Sequence, residues 1–239
     1  MKRTVLITGA ARRIGRAMAI HLAGLGWNVA IHYNRSDHWA KVLSEELQDS
    51  FPKQDFAIFK AGLDTISESE ALISAVLKKM GRLDLLINNA SVFGEGSVKD
   101  STAELIEHHM QINCLVPFLL IRDFAKQCKE GLIINMTDTR ITNNRSSHAA
   151  YSLSKKALWE LTKMAAYEFG PDIRVNAIAP GLTLPPEEKD EHYLWKLAEK
   201  IPMKRPGGIE PILKSLDFIL NNDYLTGQLL FCDGGENLQ

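Results

Sequence analysis

The sequence predicts an α/β fold, a parallel sheet covered by helices on both faces, and three observations carry that expectation. Short β-branched, apolar runs alternate along the chain with segments whose apolar residues recur at helical spacing. Those runs are continuous rather than alternating in polarity, as strands buried on both faces require. Residues able to do chemistry lie where the strands end: Gly9, Asn88, Asp138 and Gly181. Ligands of open parallel sheets bind beyond the carboxyl ends of the strands. One end of the sheet therefore collects the candidates for a single site.

Each element has its own reason. Thr4 to Thr8 is β-branched and apolar and runs into Gly9-Ala10-Ala11-Arg12-Arg13-Ile14-Gly15. A helix is expected from Arg16 to about Leu25, with Met18, Ala19, Leu22 and Ala23 on one face and Gly26 as its stop. Asn28 to Tyr33 reads as a second strand, and Ser36 or Asp37 as the N-cap of a helix carrying Trp39, Val42, Leu43 and Leu47. Asp55–Lys60 and Leu83–Asn88 are the third and fourth strands, with a helix at Glu68–Met80 between them. A helical pattern from about Ala103 to Lys126 is interrupted by Pro117. Leu132–Met136 is a strand, followed by a helix through Tyr151 to about Phe169, and Ile173–Ala179 is the sixth strand. A polar, proline-containing segment at 185–205 breaks the rhythm before a helix at Glu210–Leu220 and a last strand at Gln228–Cys232. With right-handed crossovers this makes a Rossmann-type, doubly wound parallel sheet of about seven strands, in one domain over 1–239.

Composition narrows the function classes. The 239 residues are 45% hydrophobic and 24% charged, with a net charge of −1. That balance gives no general attraction for nucleic acid or an anionic membrane. No stretch is long and apolar enough to span a bilayer. Cys114, Cys128 and Cys232 are odd in number and lack a C-x-x-C pattern, as expected of reduced thiols in a cytoplasmic protein. The histidines include no H-E-x-x-H, and His108 and His109 are adjacent and point different ways on a helix, so no metal site is expected.

The segment from Asn135 to Lys155 holds the most pointed chemistry. Tyr151 and Lys155 are four apart on a helix and share a face. An ammonium there is expected to favour the phenolate, lowering the tyrosine pKa and making it a proton donor or acceptor. Asp138 stands just beyond the preceding strand. A tyrosine–lysine pair alone is a weak signal, and Asp138 alone reads as a turn residue.

At the other end of the groove, the glycines between the first strand and helix suit the approach of a pyrophosphate to a helix N-terminus. The spacing is G-x-x-x-x-x-G, with Arg13 where a middle glycine would sit. Dinucleotide sites for NAD carry an acid after the second strand for the ribose 2′-hydroxyl. Here the strand ends His32-Tyr33-Asn34-Arg35-Ser36, without an acid before Asp37. Arg12 and Arg35 are placed instead to meet a 2′-phosphate, with Ser36 adding a hydroxyl, and NADPH is the expected cofactor. Two solvated arginines are the competing account.

Over essentially its full length the chain resembles the short-chain dehydrogenase/reductase family. The matching residues are Thr8-Gly9 with Gly15, Asn88-Asn89-Ala90, Asn113, Tyr151 with Lys155, Pro180-Gly181 and Asp233-Gly234. The resemblance implies that Tyr151 transfers the proton, that Lys155 lowers its pKa and holds the nicotinamide ribose, and that Asn113 bends its helix and organises a water beside Lys155. It also implies a homotetramer with contacts through the helices near 103–126 and 149–169.

Ketone reductases of the family usually have serine where this chain has Asp138. An acid there, with Thr8 to Gly15, His32 to Ser36, Asn88-Asn89-Ala90-Ser91-Val92-Phe93 and Pro180-Gly181-Leu182-Thr183, resembles the pteridine reductase branch. That resemblance implies NADPH-dependent reduction of a pterin, dihydrobiopterin, biopterin or a dihydrofolate, at a C=N bond. Asp138, Tyr151 and Lys155 would deliver the proton and Phe93 would stack on the pterin. Ser91 and Arg13 would contact pterin and cofactor phosphates, and Thr183 would lie near the nicotinamide amide. Gly9, Arg12, Arg13, Ile14, Gly15, His32, Tyr33, Asn34, Arg35, Ser36, Asn89, Ala90, Ser91, Lys155, Pro180, Gly181 and Thr183 form the expected cofactor set. The family usually places an acid after the third strand to contact adenine; here Gly62 stands at that position and Asp64 two residues later, leaving that contact open. The 185–205 segment would form the substrate lip. Two other accounts compete: a carbonyl reductase of acyl thioesters or sugar ketones using Thr137 or Thr139, and a non-catalytic NADP-binding sensor.

Overall fold

The computed structural model describes residues 2–186 and 188–238, without the side chain of Glu191. Met1, Glu187 in the expected lip, and Gln239 lie outside the described residues. In chain order the elements are β1 (Thr4–Ile7), α1 (Arg13–Gly24), β2 (Asn28–Tyr33), α2 (Asp37–Ser50), β3 (Phe56–Lys60), α3 (Ile66–Met80) and β4 (Leu85–Asn88). There follow α4 (Ala103–Met110), α5 (Val116–Gln127), β5 (Gly131–Met136), α6 (Ala149–Phe169), β6 (Ile173–Pro180), α7 (Glu191–Ala198), α8 (Glu210–Asn221) and β7 (Leu229–Cys232).

The strands form one seven-stranded sheet in the order β3-β2-β1-β4-β5-β6-β7. Every pairing is parallel. Strand order reverses at β1, which lies between β2 and β4, so the loops after β1 and β4 border a crevice. The register aligns the strand ends: Tyr33 opposes Lys60, Asn88 opposes Asn135 and Pro180 opposes Cys232.

Two apolar layers clasp the sheet. On one face Val5, Ile7, Val29 and Ile31 pack with Met18 and Leu22 of α1, Leu43 and Leu47 of α2, and Ile212 and Leu216 of α8. On the other, Leu6, Leu86 and Ile133 pack with Ile73 of α3, Phe124 of α5 and Leu158 of α6. Alternate residues of each strand thus serve opposite cores, which is why the strand sequences are apolar throughout.

Three local expectations change. Helix α1 begins at Arg13 rather than Arg16, because Arg13 itself makes the left-handed turn (φ 54°) that admits the helix. The pattern from 103 to 126 is two helices joined by a π-helical turn at Gln111–Leu115, and Pro117, which cannot donate to the turn before it, falls in the first turn of α5 directly after the π-helical turn. Ser36 is the N-cap residue of α2, one of the two expected, but makes no side-chain capping bond; Asp37 accepts from the Tyr33 hydroxyl at 2.7 Å and pairs with Lys41.

His32 clasps the loop after β1. Its Nδ1 accepts from the Gly9 N–H at 3.1 Å, and its Nε2–H donates to Ala61 O at 3.1 Å, which fixes the neutral tautomer. Burial lowers its pKa from 6.5 to about 4. The unfolded chain binds the proton more readily between those values, so this contribution to stability is complete above pH 6.5 and is lost as pH falls towards 4. Urea unfolding at pH 7 and pH 4 tests this. The wild type should lose on the order of 3 kcal/mol more than His32→Gln across that interval. Equal losses would show that the clasp does not titrate.

Candidate active site

A groove of about 570 Å³ runs over the crevice at the carboxyl ends of β1, β2, β3 and β4. It is lined by Gly9, Arg12, Arg13, Ile14 and Gly15 of the first loop, His32 to Ser36 after β2, and Asn89, Ala90 and Ser91 after β4. Most of the expected cofactor set therefore meets in one place. Leu63, Asp64, His108 and Ile112 complete the walls.

The first loop is built for a close approach. Gly9 has φ +64°, and a Cβ on Gly15 would sit 2.3 Å from Gly9 O, so both positions need glycine. Arg12 stands at the N-cap of α1 without capping it, and no acid occupies the first turn. The helix thus turns uncapped N–H groups and its positive dipole end towards the groove, an arrangement that suits a phosphate. Arg35 is exposed beside it and makes no ion pair among the described residues. The Arg12 guanidinium lies 5.6 Å from the centre of the Trp39 ring. A glycine-lined loop, a bare helix N-terminus and two arginines fit a dinucleotide that carries an extra phosphate.

Several residues expected to contact a ligand also act as fastenings. Asn89 Nδ2 donates to Thr8 O at 2.8 Å and Gly9 O at 3.2 Å, while Thr8 Oγ1 accepts from the N–H groups of Asn89 and Ala90, both at 2.9 Å. Asn89 and the buried His32 therefore shape the loop from below. Arg13 reaches across to Pro185 O at 2.9 Å and Leu184 O at 3.4 Å, joining the glycine loop to the start of the lip. Ser91 Oγ donates to Asn113 Oδ1 at 3.0 Å, and Thr183 Oγ1 to Gly181 O at 3.1 Å. Gly181 follows Pro180 where a Cβ would meet Asp233 Cα at 2.7 Å.

Asn113 sits where the helix is expected to bend. It lies in the π-helical turn, as a bend in the helix requires, and is fully buried. Its Nδ2 donates to Val92 O and Ser154 Oγ, and its Oδ1 accepts from Val92 N–H and Ser91 Oγ. Those bonds fill the capacity of the side-chain amide. Asn113 holds the loop after β4 against α6.

Beyond β5, Tyr151 Oη donates to Asp138 Oδ2 at 2.6 Å, while Asp138 Oδ1 accepts from Arg140 N–H at 2.8 Å. Lys155 shares a helix face with Tyr151, but its Nζ donates to Met136 O at 2.8 Å and lies 5.9 Å from the Tyr151 ring centre. The phenol is therefore not shifted down. Burial and the Asp138 carboxylate hold it well above its ordinary value. Burial lowers Lys155 to about 8, opposed by Asp138. The expected phenolate is replaced by a protonated phenol bound to a carboxylate.

Around this pair lies an aromatic platform. Phe93, 61% exposed, packs edge-on to Tyr151 with ring centres 4.7 Å apart and stacks on His148 at 4.5 Å. Arg140 stands 5.9 Å from the Phe93 ring centre. An exposed aromatic face beside a proton donor is available to a flat ligand. His148 and Arg140 were not anticipated; the signal for His148 was its position three residues before Tyr151, one helical turn away. Thr137 Oγ1 donates to Ile178 O at 3.0 Å and Thr139 Oγ1 to Asp233 Oδ2 at 2.6 Å, so both hydroxyl protons are committed inside the protein.

Comparison with known proteins agrees with this geometry. The family model described as enoyl-(acyl carrier protein) reductase matches residues 9–237. A dihydromonapterin reductase of Enterobacter sp. (strain 638) is 31% identical over 242 residues, covering 99% of this chain and 98% of that protein. The 3-oxoacyl-[acyl-carrier-protein] reductase FabG of Staphylococcus epidermidis (strain ATCC 12228 / FDA PCI 1200) is also 31% identical, over 98% of this chain and 99% of its own. The crystal structure of FolM alternative dihydrofolate reductase 1 from Brucella suis, in complex with NADP, superposes with a TM-score of 0.93 at 33% identity, over 99% of this chain and 96% of that one. With a family model matched over residues 9–237 and relatives and a solved structure matched over nearly the whole length, the chain belongs to the short-chain dehydrogenase/reductase family, as an oxidoreductase resembling its pteridine reductase-like members.

Proposed function

We propose that the protein reduces a pterin, of the dihydrobiopterin, biopterin or dihydrofolate type, at a C=N bond with NADPH. The observation that carries this reading is the Tyr151–Asp138 hydrogen bond of 2.6 Å, in a site where the neighbouring threonine hydroxyls are both committed elsewhere. Reduction of a C=N bond needs a proton delivered to nitrogen and develops no carbonyl oxyanion. A carbonyl reductase needs a hydroxyl donor for that oxygen, and Thr137 and Thr139 are poorly placed to supply one.

The groove lined by the glycine loop, Arg12 and Arg35 would hold NADPH, which when bound would supply the hydride. Tyr151 delivers the proton to the ring nitrogen as a general acid. A phenolate 2.6 Å from the Asp138 carboxylate would be costly, so as the phenol's proton leaves for the ring nitrogen the half-buried Asp138 takes one up from solvent water and passes it to Tyr151, and the pair keeps one proton between its members. Lys155 sets positive charge 5.9 Å from the centre of the Tyr151 ring. Phe93 stacks on the pterin. Arg12, Arg35 and Ser36 meet the 2′-phosphate of the cofactor, and the start of α1 its pyrophosphate. Asp138, Tyr151 and Lys155 act within one domain spanning 1–239.

The expected homotetramer has a physical basis in the apolar side chains left on α5 and α6, with Phe118 48% and Met164 66% exposed. A cytoplasmic location accords with three free cysteines and with the absence, among the described residues, of a helix long and apolar enough to cross a membrane.

Initial rates of NADPH oxidation with dihydrobiopterin, dihydrofolate and an acetoacetyl thioester test the substrate class. Turnover confined to the pterins is expected, and turnover of the thioester alone would overturn the reading. Tyr151→Phe should cut pterin turnover by roughly 10²-fold or more while NADPH affinity stays nearly unchanged; a substantial residual rate would remove Tyr151 as the acid. Arg35→Ala should weaken NADPH roughly tenfold while leaving NADH little altered. Equal weakening of both would mean that Arg35 does not read the phosphate.

A further inference from the structure

The 3₁₀ turn Thr139–Thr142, directly after Asp138, is fastened at several points. Asp138 Oδ1 accepts from Arg140 N–H at 2.8 Å, Thr139 Oγ1 donates to Asp233 Oδ2 at 2.6 Å, and Thr142 Oγ1 donates to Asn237 O at 3.2 Å. The backbone of Arg140 is thereby fixed. Its half-buried guanidinium nevertheless makes no hydrogen bond or ion pair among the described residues. That group stands 5.9 Å from the centre of the Phe93 ring, which lies 4.7 Å from the centre of Tyr151. Neighbouring amines are engaged elsewhere: Lys155 Nζ donates to Met136 O at 2.8 Å and Lys156 Nζ to Asn143 O at 2.9 Å. The charge of Arg140 reaches Tyr151, His148 and, in the C-terminal turn, Glu236. Burial and Asp138 raise the Tyr151 pKa, while Arg140 pulls against them.

In the pterin reduction proposed above, on which this inference rests, the C=N carbon gains a hydride from NADPH, the Tyr151 O–H bond breaks and an N–H bond forms on the ring. Asp138 already places a carboxylate 2.6 Å from the phenol oxygen. The pair therefore passes from one negative charge to two, until Asp138 takes up a proton from solvent water. Two like charges that close repel strongly in a partly buried site. A cation already fixed beside them offsets the repulsion at the moment it develops, without reorganisation. A guanidinium keeps its charge when partly buried, whereas burial lowers Lys155 to about 8. We infer that Arg140 is the countercharge of the Tyr151–Asp138 pair, stabilising the second negative charge that forms as the phenol's proton passes to the ring nitrogen. Arg140 is in this sense a positioning residue, acting on the reaction through Tyr151 and Asp138.

Steady-state turnover by the full chain with NADPH and dihydrobiopterin or dihydrofolate, in H2O and in D2O, tests this. Arg140→Met should lower kcat roughly tenfold or more, with the pterin KM and the NADPH affinity held within about twofold. Its solvent isotope effect on kcat should exceed that of the wild type, because proton transfer has become the slower step. A merely structural role would not single out that step. Arg140→Lys, which keeps a cation, should recover most of the rate. Arg140→Gln serves if the methionine variant folds poorly. A raised KM at unchanged kcat would make Arg140 a substrate contact instead, and a kcat and isotope effect equal to those of the wild type would leave it without a role. Either result overturns the inference and leaves the reductase reading intact. Failure of the wild type to reduce any pterin would overturn both.

Discussion

The fastening of the loop after β1 to the loop after β4 is the constraint on which the site depends. These loops flank the point where strand order reverses, so they diverge and leave a crevice. Thr8 and Asn89 tie them together across it, and His32 holds Gly9 from the side of β2. Backbone groups that would otherwise go unpaired at the strand ends are satisfied in this way. The same bonds hold the glycine loop open, with the start of α1 directed into the groove. The chain supplies polar side chains beneath the groove to build its floor and leaves others above it for a ligand.

That division separates structural polar groups from reactive ones. The amides of Asn89 and Asn113 and the hydroxyls of Thr137 and Thr139 are engaged with the protein. Arg35, the exposed face of Phe93 and the Asp64 carboxylate lie uncommitted along the groove and its mouth. Tyr151 and Asp138 belong to neither group, since they are bound to each other. Their mutual hydrogen bond fixes the phenol and keeps its proton in place. Removing either partner would leave the other buried or half-buried without its match, a costly arrangement in a site of low polarity.

Much of this was legible in the chain. Continuous apolar strands, the 9–15 loop and the pairing of Tyr151 with Lys155 depend on local spacing, and helical or strand periodicity carries that information. The same periodicity could not tell which way Lys155 would send its ammonium. Met136 O lies nineteen residues away in sequence and 2.8 Å away in space. The expectation that Lys155 would lower the phenol pKa took contact from shared helix face alone, whereas burial first, and then the carboxylate across the loop, raise it. Asn89, Asn113, His32 and Arg13 were identified as important positions, but their partners come from other elements, so their roles could not be assigned from spacing.

The sequence by itself determined the order of strands and helices, the glycine positions and the presence of an acid, a phenol and an amine near one sheet end. These follow from side-chain volume, branching and period, which act over a few residues. Only the tertiary structure decided which polar groups remain available. Hydrogen-bond capacity is finite and shared between residues far apart in the chain. Whether a hydroxyl, amide or carboxylate faces the groove depends on which distant partner has already claimed it.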